Sequence, residues 1–344
     1  MNTHDPGLDR FLQTHHLAAP GEPTQWFPLA GGVSSDIWRV DLPGRSLCVK
    51  RALPKLKVGV DWKAPVSRNA SEWAWLCFAA EIQPQAVPRP LAHDAGAGLF
   101  AMSFLAPEMH PVWKEQLLRG RVEPVVAAQV ATVLARLHGA SAHRADLAHR
   151  FDTLPSFHAL RLQPYLLVTA GRHPDIADRL RALALRTGST RLALVHGDVS
   201  PKNILIGPQG PLLLDAECAW YGDPAFDVAF CLNHLLLKCL VQPIRTDGLL
   251  AAFAAFVTAY FDTAHFEPRS ALEARAASLL PALLLARVDG QSPVEYLDGR
   301  PEQQALVRRV ARPLIADAPV RLAEVAECWR GALGREYEPA PIPR

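Results

Sequence analysis

The chain lacks the marks of several common functional classes. Lys and Arg total 36 against 34 Asp and Glu, a formal charge of +2, so no basic surplus exists to hold nucleic acid or an anionic membrane by bulk electrostatics. Six cysteines (Cys48, Cys77, Cys218, Cys231, Cys239 and Cys328) are scattered without a Cys-x-x-Cys pair or histidines at metal-ligand spacing. That sets aside a zinc module and a disulfide scaffold and predicts free thiols in a reducing compartment. The opening residues Met1 to Pro6 carry no basic flank and no apolar core, so no signal peptide is expected. The longest apolar stretches are read near Val228 to Leu240 and Leu279 to Ala286, broken or bounded by Asn233, His234, Lys238, Pro281 and Arg287. Both fall short of the ~20 residues that a membrane span needs. These absences predict a cytoplasmic monomer or homodimer with neither nucleic acid nor membrane as partner.

What is present is a large apolar fraction, 49%, punctuated by 30 prolines. After a short amphipathic run at Leu8 to Leu17, strand-like segments follow at 25–29, 36–42 and 46–53, then a helix at 69–81 and two strands ending at 99–105. Ala106-Pro107 reads as a linker, dividing the chain into residues 1–105 (with 1–23 as a helical extension) and 106–344. Beyond it helices are expected at 122–138, 154–170, 174–187, 225–240, 246–262, 269–287, 301–315 and 320–334. A small antiparallel sheet with one helix, followed by a larger helical lobe, is an α+β plan.

The most informative stretch is His196-Gly197-Asp198-Val199-Ser200-Pro201-Lys202-Asn203, followed by Asp215-Ala216-Glu217. Apolar runs at 191–195, 203–206 and 212–214 frame it as strand, loop, strand, strand, with Pro208-Gln209-Gly210-Pro211 as the turn. Asp and Asn are ordinary turn residues, and a polar hairpin loop would use them too. Apolar strands on both sides and an acidic strand end favour chemistry instead. Phosphoryl transfer needs a carboxylate to orient and deprotonate a hydroxyl, and oxygen ligands to hold a metal against phosphates.

Together with Tyr221-Gly222-Asp223-Pro224-Ala225-Phe226-Asp227, these residues resemble the aminoglycoside phosphotransferase and choline kinase superfamily, small-molecule kinases on a protein-kinase-like fold. Asp215-Ala216-Glu217 is similar to the metal motif of methylthioribose kinases, which usually lack the Asn found here at 203. The resemblance implies a two-lobed ATP- and magnesium-dependent kinase. It makes Asp198 the catalytic base, Asn203 and Asp215 metal ligands, and Glu217 a ligand directly or through water. Gly31, Gly32, Ser34 and Ser35 then cover the phosphates, although a Gly-Gly hairpin turn has the same letters. Lys50 meets the phosphates and Glu72 pairs with it. Arg68, four residues earlier, offers Glu72 an alternative helix-surface partner, and Glu81 is a weaker candidate. Backbone near Met102, Ser103 and Leu105 reads adenine. A loop carrying Arg51, Lys55, Lys57, Trp62 and Lys63 is expected to meet an anionic group or to be simply solvated.

In the lower lobe His196 is expected to hold the loop, with Asp223 capping a helix and Asp227 bracing the catalytic loop. Lys202 is left open between phosphoryl neutralisation and a surface role. Trp220 and Tyr221 are either a wall for the acceptor or core, and Arg287 and Asp289 either acceptor contacts or a helix end. The expected acceptor is a small polar alcohol bearing an anionic group. The alternatives are an aminoglycoside kinase and a catalytically silent nucleotide-binding regulator.

Overall fold

Alternating apolar and polar residues in the N-terminal third build one antiparallel sheet. The computed structural model describes residues 5–29, 35–53 and 68–336. Helix α1 (Pro6–Thr14) is capped by Asp5, whose Oδ1 accepts from the Gly7 amide at 2.8 Å. Strands β1 (Gln25–Pro28), β2 (Ser35–Leu42) and β3 (Arg45–Ala52) follow, then α2 (Arg68–Ile82), β4 (Pro90–Asp94) and β5 (Leu99–Ser103). The sheet order is β1-β2-β3-β5-β4. Side chains of β5 alternate between two cores, as period-2 geometry requires: Leu99 and Ala101 pack with α1, while Phe100 joins Trp75 and Phe78 of α2 in the main core.

The rest is mainly helical: α3 (Trp113–Leu118), α4 (Pro124–Ser141), α5 (Ala145–Arg150), α6 (Leu154–Phe157), α7 (Val168–Arg172) and α8 (Ala177–Ser189). Between α6 and α7 the backbone is π-helical over His158–Leu167, with the Val168 amide donating to Gln163 O. Pro164, which has no amide hydrogen to give, sits within this wider turn. Two small ribbons follow. Strand β6 (Ala193–Val195) pairs with β9 (Trp220–Gly222), and β7 (Ile204–Gly207) with β8 (Gly210–Leu213). Four long helices, α9 (Ala225–Cys239), α10 (Thr246–Thr263), α11 (Arg269–Asp289) and α12 (Pro301–Ala316), and then α13 (Leu322–Glu336), complete the lobe. The α+β expectation is borne out.

Every residue of α9 is buried, including Asp227, Asn233, His234 and Lys238. Buried polar groups on a core helix need partners or a reason. The stretch 243–263 is long and apolar enough to cross a membrane by length and composition, which the sequence reading had not singled out. In the fold Leu249, Phe253, Phe256 and Tyr260 of α10 are buried in the main core.

Candidate active site

Strand β6 ends at Val195 and the chain turns at Gly197, where φ is +79° and a Cβ would stand 2.7 Å from Cys218 O. Only glycine fits there. Asp227 accepts from the amides of His196 at 2.7 Å and Gly197 at 2.8 Å, and His138 Nε2 lies 3.2 Å from the same carboxylate. The loop is thus pinned from α9 below. The Asp198 amide donates to His196 Nδ1 at 3.1 Å, so the ring proton sits on Nε2, 3.1 Å from Leu214 O. Burial pushes the pKa of His196 down, and the neutral ring bridges the loop to the strand end after β8.

Asp198 is 3% exposed, with Arg161 Nη2 at 2.9 Å and Lys202 Nζ at 3.2 Å from its Oδ2. Burial alone would raise its pKa. Arg161 and Lys202 outweigh that and hold the carboxyl below its usual range. Arg161 also donates to Gly197 O at 2.5 Å and Leu160 O at 2.7 Å. It reaches the loop from the π-helical stretch, where such wide turns often carry functional side chains. Asn203 Nδ2 donates to Asp198 O at 3.1 Å, which leaves its amide oxygen as the acceptor end.

Across the cleft, Lys50 pairs with Glu72 at 2.7 Å and with the Asp215 carboxylate. Asp215 has φ +68°, a left-handed backbone that is uncommon for a non-glycine residue and that Asp tolerates better than most. Glu72 is pushed up to about 7 by burial, against the pull of Lys50, because Asp215 and Glu217 crowd the same cation. Arg68 Nε contacts Glu217 Oε2 at 2.9 Å, tying the Asp215-Ala216-Glu217 segment to the first turn of α2. Glu217 therefore already has a cationic partner. Asn203 and Asp215 supply hard oxygens suited to a small divalent ion. Among the described residues no group of three or more His, Cys, Asp or Glu could hold a metal, so an ion here would take its remaining ligands from phosphate or water.

Gly31, Gly32 and Ser34, and the loop with Lys55, Lys57, Trp62 and Lys63, lie outside the described residues. Ser35 is buried at the start of β2, opposite Ala52. Met102 lines a small cavity with Glu72, Leu213 and Asp215. Ser103 and Leu105 line a separate open groove of about 360 Å³ with Arg89, His110 and Leu212. The Ser103 amide donates to Arg89 O at 2.9 Å, so it is already engaged. Asp223, one residue before the Pro224 that caps α9, accepts from the Ala225 amide at 3.0 Å and from Arg275 Nε at 3.1 Å.

Three candidate acceptor contacts, Trp220, Tyr221 and Asp289, take the structural of their two readings. Strand β9, not anticipated as a strand, turns Trp220 and Tyr221 into the core. Trp220 stacks on Phe157 at 4.5 Å, and the Tyr221 hydroxyl donates to Leu192 O at 2.9 Å. Asp289 is held by Arg308 at 2.6 Å and His173 at 2.9 Å, and it does not line the cavity to which Arg287 contributes. That cavity instead brings Arg287 together with Lys202, Lys114 and Lys238. The sequence reading assigned no role to Arg161, Lys114 or Lys238. The only signal for Arg161 and Lys238 was a charge in an otherwise apolar helix.

The phosphotransferase enzyme family profile matches residues 26–264. A methylthioribose kinase of Yersinia enterocolitica is 30% identical over 225 residues, covering 58% of this chain and 56% of that protein. The chain thus spans little more than half the length of this curated relative. The fold is similar to a choline/ethanolamine kinase family protein from Mesorhizobium loti (TM-score 0.51, 14% identity, covering 94% of this chain and 98% of that one). It is also similar to a choline kinase from Cryptosporidium parvum (TM-score 0.52, 12% identity, covering 94% and 96%). With more than half of its residues matched and the loop, strand ends and lysine pair assembled in one cleft, the chain belongs to the phosphotransferase enzyme family.

Proposed function

We propose that this protein is an ATP-dependent kinase of a small metabolite, with a hydroxyl group as acceptor. The observation that carries the reading is the pair of ion-pair systems facing one cleft: Lys50 between Glu72 and Asp215, and Asp198 between Arg161 and Lys202. The sheet lobe up to Leu105 holds the nucleotide, with Lys50 on its phosphates and the groove at Ser103 and Leu105 for adenine. Residues beyond it bind the acceptor. Asn203 and Asp215 would hold magnesium, which supplies charge neutralisation at the phosphates.

Asp198 orients the acceptor hydroxyl and takes its proton. Its low pKa suits a loose transition state in which the proton leaves late, so positioning matters more than basicity. Arg161 keeps that carboxylate ionised and fixed against Gly197. His196, neutral and buried, positions the loop and moves no proton.

Asp198→Asn tests this. Mg-ATP binding should persist while turnover on an alcohol panel falls about 10²–10⁴-fold, the usual contribution of a general base. Turnover within about threefold of wild type would remove Asp198 from that role.

A further inference from the structure

Beside the catalytic loop, Lys114, Lys202, Lys238 and Arg287 converge on one cavity. The single carboxylate on its wall, Glu295, is paired with Lys114. Lys238 is 1% exposed, and its ammonium lies over the Tyr296 ring, 5.0 Å from the centroid. Among the described residues no protein hydrogen bond to its ammonium is found. Three more polar atoms of cavity-lining residues, His234 Nε2, Arg287 Nε and Tyr296 Oη, are buried without a partner.

Folded proteins rarely leave such atoms unpaired, and a cluster of them calls for a missing group. An ammonium, a guanidinium N–H, a phenol and an imidazole nitrogen can all donate, so a group rich in acceptor oxygens satisfies all of them at once. Burial, Lys114 and Arg287 also push the Lys238 ammonium down to about 7. A bound negative charge would reverse that cost.

We infer that this cavity is an anion subsite for the acceptor, taking a carboxylate or phosphate carried by the alcohol to be phosphorylated. The inference rests on the kinase reading for the word acceptor, but not for the anion. The cavity holds about 30 Å³, room for a terminal group and not for a sugar ring. Lys202 joins the two functions, since it lines the cavity and its Nζ lies 3.2 Å from Asp198 Oδ2. An acceptor anchored by its anion would therefore present a hydroxyl to Asp198. A polycationic acceptor would instead meet four positive side chains.

The test uses the full chain saturated with ADP and magnesium, which blocks the nucleotide phosphate site, titrated calorimetrically with glycerate, glycerol 3-phosphate and glycerol. These probes share one vicinal diol and differ at the third carbon, which is a carboxylate or carries a phosphate ester or a neutral hydroxyl. At least one anionic probe should bind tenfold or more tighter than glycerol. That advantage should vanish in Lys238→Met and in Arg287→Met and survive in Arg119→Ala on the surface. The response to glycerate against the phosphate ester identifies which anion is preferred. Arg287→Met carries the test should Lys238→Met not fold. Equal binding of all three probes, or a preference untouched by both variants, overturns the subsite. The readout needs no turnover. Lys238-dependent anion binding without phosphoryl transfer to any alcohol would remove the kinase reading alone, whereas efficient transfer to neutral or amino alcohols without anion binding would remove the subsite alone.

Discussion

Two lysines of this protein are equally buried and oppositely surrounded. Lys50, 3% exposed, stands among Glu72, Asp215 and Glu217, and its pKa is raised. Lys238, 1% exposed, faces Lys114 and Arg287, with Glu295 already paired to Lys114, and its pKa is lowered to about 7. Desolvation weakens the charged form of both. Their neighbours decide the outcome. The first pocket has more carboxylates than its lysine can neutralise, which is the charge balance of a place that receives a cation together with phosphates. The second has more cations than carboxylates, the balance of a place that receives an anion. Each imbalance suits a ligand of the opposite charge.

The largest effect should come from the carboxylate-rich side. Lys50→Met leaves Glu72 and Asp215 without the cation they share, and breaking a buried pair costs about 3–5 kcal/mol. Chemical denaturation should report that loss, and nucleotide binding should fall with it. A variant as stable as wild type would mean that the carboxylates already have another counter-charge. Asp215→Ala comes next. It removes a charged oxygen ligand, so nucleotide affinity should drop by about tenfold or more, ~1.4 kcal/mol, with magnesium present and far less in its absence. Equal losses in the two titrations would make Asp215 a partner of Lys50 only and leave the metal to other groups.

The same comparison explains what the chain disclosed before folding. The helices α4 and α8 to α13 follow from their apolar patterning, whereas the short α5 was not expected and one helix expected at 154–170 is α6, a π-helical stretch and α7. The loop carrying Asp198 is local, with Asp198 and Asn203 five positions apart, Asp215 one hairpin later and Asp227 close behind. Lys50 and Glu72 meet because a strand and the helix after it are adjacent in space. The second pocket has no such locality. Lys114 comes from α3, Lys238 from α9, Arg287 from α11 and Tyr296 from beyond it, so in sequence Lys238 was only a break in an apolar run. Arg161 was hidden for a related reason. Its helical stretch looked regular, and the π-helical register that accompanies its reach to Asp198 leaves no mark beyond Pro164. Trp220 and Tyr221 stayed open between wall and core because β9 finds its partner in β6, a pairing across the whole intervening hairpin.

The last effect is the sharpest test of the contrast, because its sign is opposite. Lys238→Met replaces a buried ammonium that lacks a paired carboxylate with an apolar side chain of similar volume, so the variant should be more stable than wild type by about 1–4 kcal/mol at pH 6.5. The groups facing Lys238 are Lys114 from α3, Lys202 from the loop before β7, Cys231 and His234 from its own helix, Arg287 from α11, and Glu295 and Tyr296 beyond it. Burial pushes the Cys231 thiol and the Tyr296 phenol well up, and neither changes charge near neutrality. Below pH 7 both folded and unfolded chains hold the Lys238 proton, and the wild type carries its full cost. Above about 7 the folded chain releases that proton, while the unfolded chain keeps it until near 10.5. The unfolded state then binds more protons, so wild-type stability rises with pH relative to the variant, by up to about 1.4 kcal/mol per pH unit. Urea denaturation of both proteins at pH 6.5, 7.5 and 8.5 should show the variant's advantage shrinking across the series. An advantage that stays constant would mean that Lys238 does not titrate in this window and that the cavity already supplies its negative charge. A variant less stable than wild type at every pH would erase the difference between the two lysines.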